Sequence, residues 1–153
     1  MAVGSFYHYF GSKDGTLLHG LVAEDEAVDV LLANSDGETH VERIRRLFLN
    51  RVFMGTVNIT LDLSVAFSIA ELRHGLPDAF AEPRRAYLAL REEIQAAQSA
   101  GTLTPDVDAG TIAEGLLLAA AGLIHAWQLA GGAFPVMERA AVYADTQLRL
   151  LKK

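Results

Sequence analysis

The chain has 153 residues, of which 51% are hydrophobic, and this length is sufficient for one compact domain. Charged residues make up 21%, which argues against intrinsic disorder, and the formal net charge of −6 does not suit a nucleic-acid-binding protein as a whole. The absence of cysteine excludes a disulfide framework and thiolate chemistry, and it is compatible with a reducing cytoplasm.

The first stretch, residues 5–14, has the pattern of a short aromatic helix, a tight turn and a helix start. Phe6 and Phe10 are four positions apart and share one helix face, so the polar side chains between them point elsewhere. The glycine–serine pair that follows suits a helix end and then an N-cap. An aromatic helix with hydroxyls, an imidazole and an amine on its outer face suits a DNA phosphate backbone.

Residues 3–14, with the two leucines at 17–18, resemble the recognition helix and the start of the next helix in TetR-family transcriptional regulators. The family pattern is a small hydroxyl residue, an apolar residue, a tyrosine, two mostly aromatic or histidine positions, an apolar residue, two turn residues and a lysine. Each of these positions is matched. The DNA-contact residues that the resemblance implies are Ser5, Tyr7, His8 and Lys13.

The segment that precedes the recognition helix in the family has no counterpart in this sequence. There, about forty residues carry a first helix and the first half of the helix-turn-helix. The present sequence begins at Met1, inside the turn or at the start of the recognition helix. A misplaced start, a truncated chain and a loss of DNA binding all stay open as explanations. We expect DNA as a partner only with a complete N-terminal domain.

Apolar spacing predicts a first helix over 12–33 and a second over 38–54, separated by a loop. In the family, the first of these links the DNA-binding part to the ligand-binding part, and its tilt changes the spacing of the two recognition helices. The second helix carries four arginines. A solvated face is the favoured interpretation of such a run, and phosphate or acid binding is the alternative.

The segment 57–63 alternates apolar and polar residues, so periodicity alone allows a short strand. We predict a helix over 57–73 instead, because Leu61, Val65 and Ile69 keep helical spacing and an isolated strand would have no partner. The glycine and the proline that come soon afterwards are typical of a helix end.

A helix over 84–100 is predicted next, and residues 101–108 follow it with the pattern Gly-x-Leu-x-x-Asp-x-Asp. Gly101 suits a helix C-terminus, Leu103 a hydrophobic anchor and Asp108 the N-cap of the following helix. In TetR-family proteins this connection often lies just before the dimerisation helix.

The most apolar predicted helix is 109–129, in which small residues recur at spacings of four and three. A helix that is hydrophobic nearly all round must be covered on all sides. With a last helix it would form a four-helix bundle across a two-fold axis, as the last two helices do in the family. We therefore expect a homodimer through 109–130 and 135–151. The apolar run is short and interrupted by polar residues, so we expect a cytoplasmic protein with no membrane partner.

The resemblance also implies a largely apolar cavity among the middle helices, with few polar groups. The candidate ligand-binding residues are Phe67, Glu71, His74, Tyr87, His125 and Trp127. The alternative is that the aromatic residues belong to the core. A single histidine on an apolar helix, such as His125, is then a core residue with its hydrogen bonds satisfied.

No pattern indicates an enzyme. The histidines lack His-x-x-x-His metal spacing, no glycine-rich loop lies between a strand and a helix, and no serine lies in a nucleophile elbow. We therefore predict no catalytic residue, no metal and no cofactor.

These observations predict an all-α protein with a helix-turn-helix remnant over 1–33 and a helical ligand-binding and dimerisation domain over 38–153. The resemblance implies a ligand-responsive transcriptional regulator, a repressor whose DNA binding is released by a small apolar molecule. The alternative function is a dimeric helical ligand-binding module without DNA binding.

Overall fold

The computed structural model describes residues 13–74 and 84–153, and this part of the chain is all-α, as predicted. Its helices are α1 (Lys13–Ala33), α2 (His40–Gly55), α3 (Leu61–His74), α4 (Arg85–Ser99), α5 (Ala109–Leu129) and α6 (Val136–Leu150). The β pairing among these residues is an isolated antiparallel bridge between Leu103 and Lys152.

Helix α2 lies at the centre and contacts α1, α4, α5 and α6. Its buried side chains follow the helical period, and they are Ile44, Leu47, Phe48 and Val52. The Phe48 ring stacks on Tyr143 of α6 with 5.6 Å between the ring centroids. Burying side chains of this size contributes roughly 1.5–3 kcal/mol each to the stability of the fold. Helix α2 therefore forms the centre of the hydrophobic core.

The helix predicted over 57–73 begins four residues later than expected, at Leu61. The Thr56 hydroxyl donates to the Val52 carbonyl at the end of α2, and turns follow it. The Thr60 hydroxyl then accepts a hydrogen bond from the Leu63 N–H as α3 starts. The alternating pattern at 57–63 is therefore a turn followed by the first turn of a helix.

The connection between α4 and α5 has the structure that its residues predict. Gly101 has a φ of +72°, which is the left-handed conformation that favours glycine after a helix end. Leu103 is fully buried, and Asp108 accepts a hydrogen bond from the Thr111 N–H over 3.0 Å as the N-cap of α5. The Thr104 N–H donates to the Leu151 carbonyl over 2.8 Å, which ties residues after α6 to this loop.

The four arginines of α2 do not form a solvated face, so the favoured interpretation of this run was wrong. Each side chain is partly buried and pairs with a carboxylate on another part of the chain. The pairs are Arg43–Glu93 (3.4 Å), Arg45–Asp145 (2.6 Å), Arg46–Glu38 (2.7 Å) and Arg51–Glu24 (2.9 Å). The partners lie in three other helices and in the loop before α2, and this explains why the pattern within α2 alone did not reveal them.

Helix α5 is covered on one side only. It buries Ile112, Leu116 and Ile124 against its neighbours, whereas Leu118 and Leu129 are 66% and 77% exposed. Within the described part of the chain, α5 alone has the length and apolar composition of a membrane span, and 39% of its most apolar window is buried. Core helices of soluble proteins meet the same criterion, and the cytoplasmic location stays a prediction.

Candidate functional site

Most of the predicted DNA-contact residues lie outside the part of the chain that the structure describes. These are Ser5, Tyr7 and His8. The fourth, Lys13, is the first residue of α1, and only its backbone is described. The first three positions are followed in the sequence by the 21-residue helix α1.

Among the described residues, four ion pairs fasten the second half of α1 to α2 and to the start of α4. They are Glu24–Arg51 (2.9 Å), Glu24–Arg84 (3.7 Å), Asp25–Arg84 (3.0 Å) and Asp29–Arg85 (2.6 Å). The Glu24 side chain is only 12% exposed, so its pair is screened less by solvent than the outermost pair, in which the Asp29 side chain is 62% exposed. One edge of α1 is thus held electrostatically by α2 and by the start of α4.

The innermost part of this contact is a group of four charged side chains, which we name the interior charge cluster: Glu24, Arg51, Glu71 and Arg84. Burial raises the pKa of the Glu71 carboxyl above its ordinary value, and it outweighs the opposing effect of the nearby Arg51 guanidinium. Glu24 raises this pKa further, and Arg84 lowers it. A carboxyl that holds its proton more tightly can donate a hydrogen bond as well as accept one.

Phe67 and Glu71, both predicted ligand-binding residues, lie one turn apart on α3 and share the side that faces α1. Phe67 packs where α1 has Gly20, and a Cβ atom built on Gly20 would lie 3.0 Å from the ring. The absence of a side chain at Gly20 therefore lets an aromatic ring approach the α1 backbone. The structure brings these two predicted residues together, with an aromatic surface beside a half-buried carboxyl.

The remaining predicted ligand-binding residues do not join this group. The Tyr87 ring lies at the start of α5, where its hydroxyl would be 2.8 Å from a Cβ atom built on Gly110. Trp127 packs at the other end of α5, beside Gly132. Tyr87 and Trp127 both pack against the hydrophobic core, which supports the alternative prediction made for the aromatic residues.

The two histidines among the candidates have different outcomes. His125 is exposed on α5, so the interpretation of His125 as a buried core histidine was wrong. The helix is apolar nearly all round, and its sequence alone could not show which side its own chain leaves uncovered. His74 is the last residue of α3, and its side chain lies outside the described residues.

A polar network between α3 and α5 was not predicted. The Gln128 side-chain amide donates to the hydroxyls of Ser64 and Ser68 over 2.8 and 2.9 Å. The Ser64 hydroxyl in turn donates to the Gly55 carbonyl over 2.6 Å, so α2, α3 and α5 are joined at one point. The available signal was the spacing of two serines four apart on one helix, together with a glutamine in the most apolar helix.

The surface between α5 and α6 has an open groove of about 580 Å³. It is lined by Leu123, Pro135, Glu138, Arg139, Val142, Tyr143 and Thr146. Most of this lining is apolar, and Val142 is 67% exposed. The groove therefore adds apolar surface beside the uncovered side of α5.

Within residues 13–74 and 84–153 no three histidine, cysteine or acidic side chains are placed to hold a metal ion. The absence of metal and cofactor from the function stays a prediction. No protein-family model, curated protein or solved structure matches this chain.

Proposed function

We propose that this protein is a ligand-responsive transcriptional regulator of the TetR type, a repressor that leaves its operator when a small, largely apolar molecule binds. The observation that carries the proposal is the TetR-like motif at 3–14, which runs directly into α1. No catalytic residue is part of the proposal. DNA contact is assigned to Ser5, Tyr7, His8 and Lys13.

The contacts of α1 supply a route from an interior ligand to the motif. Helix α1 is about 31 Å long at 1.5 Å per residue, and its second half is fastened by ion pairs to α2 and to the start of α4. A ligand that separates these pairs tilts α1 and displaces the motif at its other end. The shift between the DNA-binding and released states cannot exceed the ligand's preference for the released state.

The ligand site that we propose lies between α1 and α3, beside Phe67 and Glu71. The Phe67 ring offers an apolar surface, and the interior charge cluster offers one polar end. Ligand sites are typically apolar with a few convergent polar groups, and this arrangement fits a small molecule with a hydrophobic body and one hydrogen-bonding group. Tyr87, His125 and Trp127 are not part of the site proposed.

The regulator would act as a homodimer through α5 and α6, because two recognition helices must lie about one DNA turn apart. The uncovered side of α5 and the apolar groove beside it support a second copy of the chain as the partner. A helix hydrophobic on its exposed side is stabilised when another helix covers it.

The test is a gel-shift measurement with the DNA that flanks the gene. Two chains are compared: the chain that begins at Met1, and one extended by the roughly forty upstream codons that a complete helix-turn-helix would need. The extended chain should retard the flanking DNA specifically. Molecules that raise the melting temperature in a thermal-shift screen should then release it. The variant Tyr7→Phe of the extended chain should bind all DNA sequences more weakly, since it removes one phosphate contact.

The second candidate function is a dimeric ligand-binding module without DNA contact, and the net charge of −6 favours it. Stop codons directly upstream of Met1, or an extended chain that binds flanking and unrelated DNA equally, would exclude the regulator. Melting-temperature shifts with small molecules would then support the module.

A further inference from the structure

The Glu71 carboxyl is the one member of the interior charge cluster that has no direct partner among the described residues. Arg51 pairs with Glu24 over 2.9 Å, and Arg84 pairs with Asp25 over 3.0 Å and with Glu24 over 3.7 Å. Both guanidiniums are thus engaged by carboxylates of α1. They lie near enough to Glu71 to lower its pKa, but neither forms an ion pair or a hydrogen bond with it.

The charges around Glu71 do not balance when all of them are ionised. Three carboxylates face two guanidiniums, which leaves one negative charge in excess: Glu24, Asp25 and Glu71 against Arg51 and Arg84. A carboxylate that is partly removed from water without a partner is unfavourable, and this is why burial raises the pKa of Glu71. A single positive charge placed beside Glu71 would balance the group.

Apolar side chains flank this carboxyl on α3, and the carboxyl itself is not sealed from solvent. The Glu71 side chain is only half-buried. Phe67 lies one turn before it on the same side, and the following residue, Leu72, is 80% exposed. A molecule that reaches Glu71 therefore meets apolar surface beside a carboxylate.

We infer that the ligand is a hydrophobic cation, with a protonated amine or a quaternary ammonium group on an apolar body. Its positive charge pairs with the Glu71 carboxylate, and its body covers the apolar side chains next to that carboxylate. An anionic ligand is disfavoured, because the two nearby guanidiniums are already paired and the excess charge is negative.

This inference rests on the proposed function for the position of the ligand site, and it adds the charge of the ligand. The DNA measurement above and the test below give separate answers. A chain that binds its flanking DNA but shows no preference for cations would overturn this inference and leave the regulator standing. A chain that prefers cations but binds no DNA would overturn the regulator and leave the charge of the ligand as inferred.

The test compares three probes that share one apolar body and differ in charge: 4-phenylbutylamine, 4-phenylbutanol and 4-phenylbutanoate. Each is titrated calorimetrically into the full chain at pH 7.5. The amine should bind at least about tenfold more tightly than the alcohol, because hydrogen bonds between charged groups are stronger than neutral ones, and the carboxylate should bind most weakly. Equal binding of amine and alcohol, tighter binding of the carboxylate, or no binding of any probe at millimolar concentration would overturn the inference.

A matched pair of variants assigns the preference to one carboxyl. Glu71→Gln should bind the amine and the alcohol within about twofold of each other, because the amide has no charge to offer. Glu26→Gln removes a carboxylate from an exposed position of α1 and should keep the wild-type preference. Melting curves of both variants establish that they fold. A preference for the amine that survives in Glu71→Gln, or that is lost in Glu26→Gln, would place the cation elsewhere and overturn the inference.

The wild-type chain supplies a test that needs no substitution. The preference for the amine over the alcohol should shrink as the pH falls from 8 towards 4, because the pKa of Glu71 is raised and a protonated carboxyl does not attract an ammonium group. The amine keeps its own proton over this range. A preference that is the same at both ends of the range would contradict Glu71 as the partner of the cation.

Discussion

Glu71 carries a carboxyl that the fold partly removes from water, and its ionisation is opposed by burial more than it is favoured by Arg51 and Arg84. Its pKa therefore lies above the ordinary 4.5 in the folded protein, whereas the unfolded chain loses this proton near that value. Between the two values the folded state holds more protons. Stability contributed at this site is therefore lost as the pH rises through that window.

We expect Glu71→Gln to melt at a higher temperature than the wild type at pH 7, because the amide removes the cost of burying a carboxylate. The difference should shrink as the pH falls towards 4, where the wild-type carboxyl is protonated. Thermal melts from pH 4 to 8 measure this. Glu26→Gln, at an exposed position of α1, serves as the control and should change little. A lower melting temperature for Glu71→Gln at pH 7 would show that the arginines outweigh burial.

At the scale of the helices, α2 and α5 come into close contact where Gly55 of α2 meets Ile124 of α5. A Cβ atom built on Gly55 would lie 2.6 Å from Ile124 Cδ1 and 3.4 Å from an Arg51 guanidinium nitrogen. A side chain at Gly55 would therefore force the Ile124 side chain to shift. The Gly55 carbonyl also accepts a hydrogen bond from the Ser64 hydroxyl, so the start of α3 packs at this point as well.

We expect Gly55→Ala to destabilise the protein by about 1–3 kcal/mol, the usual cost of inserting a methyl group into a packed contact. Ile124→Val removes the Cδ1 atom that would obstruct the new methyl group, and by itself it should cost about 0.5–1.5 kcal/mol of stability. The double variant should be more stable than the two costs predict, by more than about 0.5 kcal/mol in a double-mutant cycle. Denaturant unfolding measures all four chains.

Ile112→Val is the matched comparison for this cycle. Ile112 is buried in the same helix, about 18 Å along its axis from Ile124. Its effect should add to that of Gly55→Ala, because distant sites are independent. Equal coupling in both cycles would mean that Gly55 acts through the whole helix and not through contact with Ile124.

The helices and their caps were predictable because their signals are local. Gly101 and Asp108 act within one turn of their own positions, and the predicted bounds of α5 match the structure. The contacts of Arg51 and Gln128 were not predictable, since their partners are distant in sequence. For the site, the spacing of four between Phe67 and Glu71 is a local signal that both lie on one side of α3. The sequence of α5 could not show that His125 is exposed, because every side of that helix is apolar.

At the scale of the whole molecule, stability and association are linked if a second copy covers the side of α5 that its own chain leaves exposed, as proposed above. We expect the melting temperature of the wild type to rise with protein concentration, because dimerisation stabilises the folded state by mass action. Calorimetric scans over a hundredfold range of concentration measure this. Gly122→Leu places a large side chain at an exposed position of α5 where the second copy would pack, and it should show a flat dependence. A concentration-independent melting temperature in both chains would contradict the linkage.

The α4–α5 connection is fastened along its length. The Gln98 side chain donates to the carbonyls of Thr104 and Val107 over 2.9 and 2.8 Å, and Thr104 is bonded to Leu151. The 101–108 segment is bonded at several points to other parts of the chain, whereas the 34–37 loop is bonded within its own turn and, at the Asn34 carbonyl, to Arg46 of α2. Engineered insertions, such as a reporter domain or a circular-permutation joint, therefore belong at 34–37 and not at 101–108.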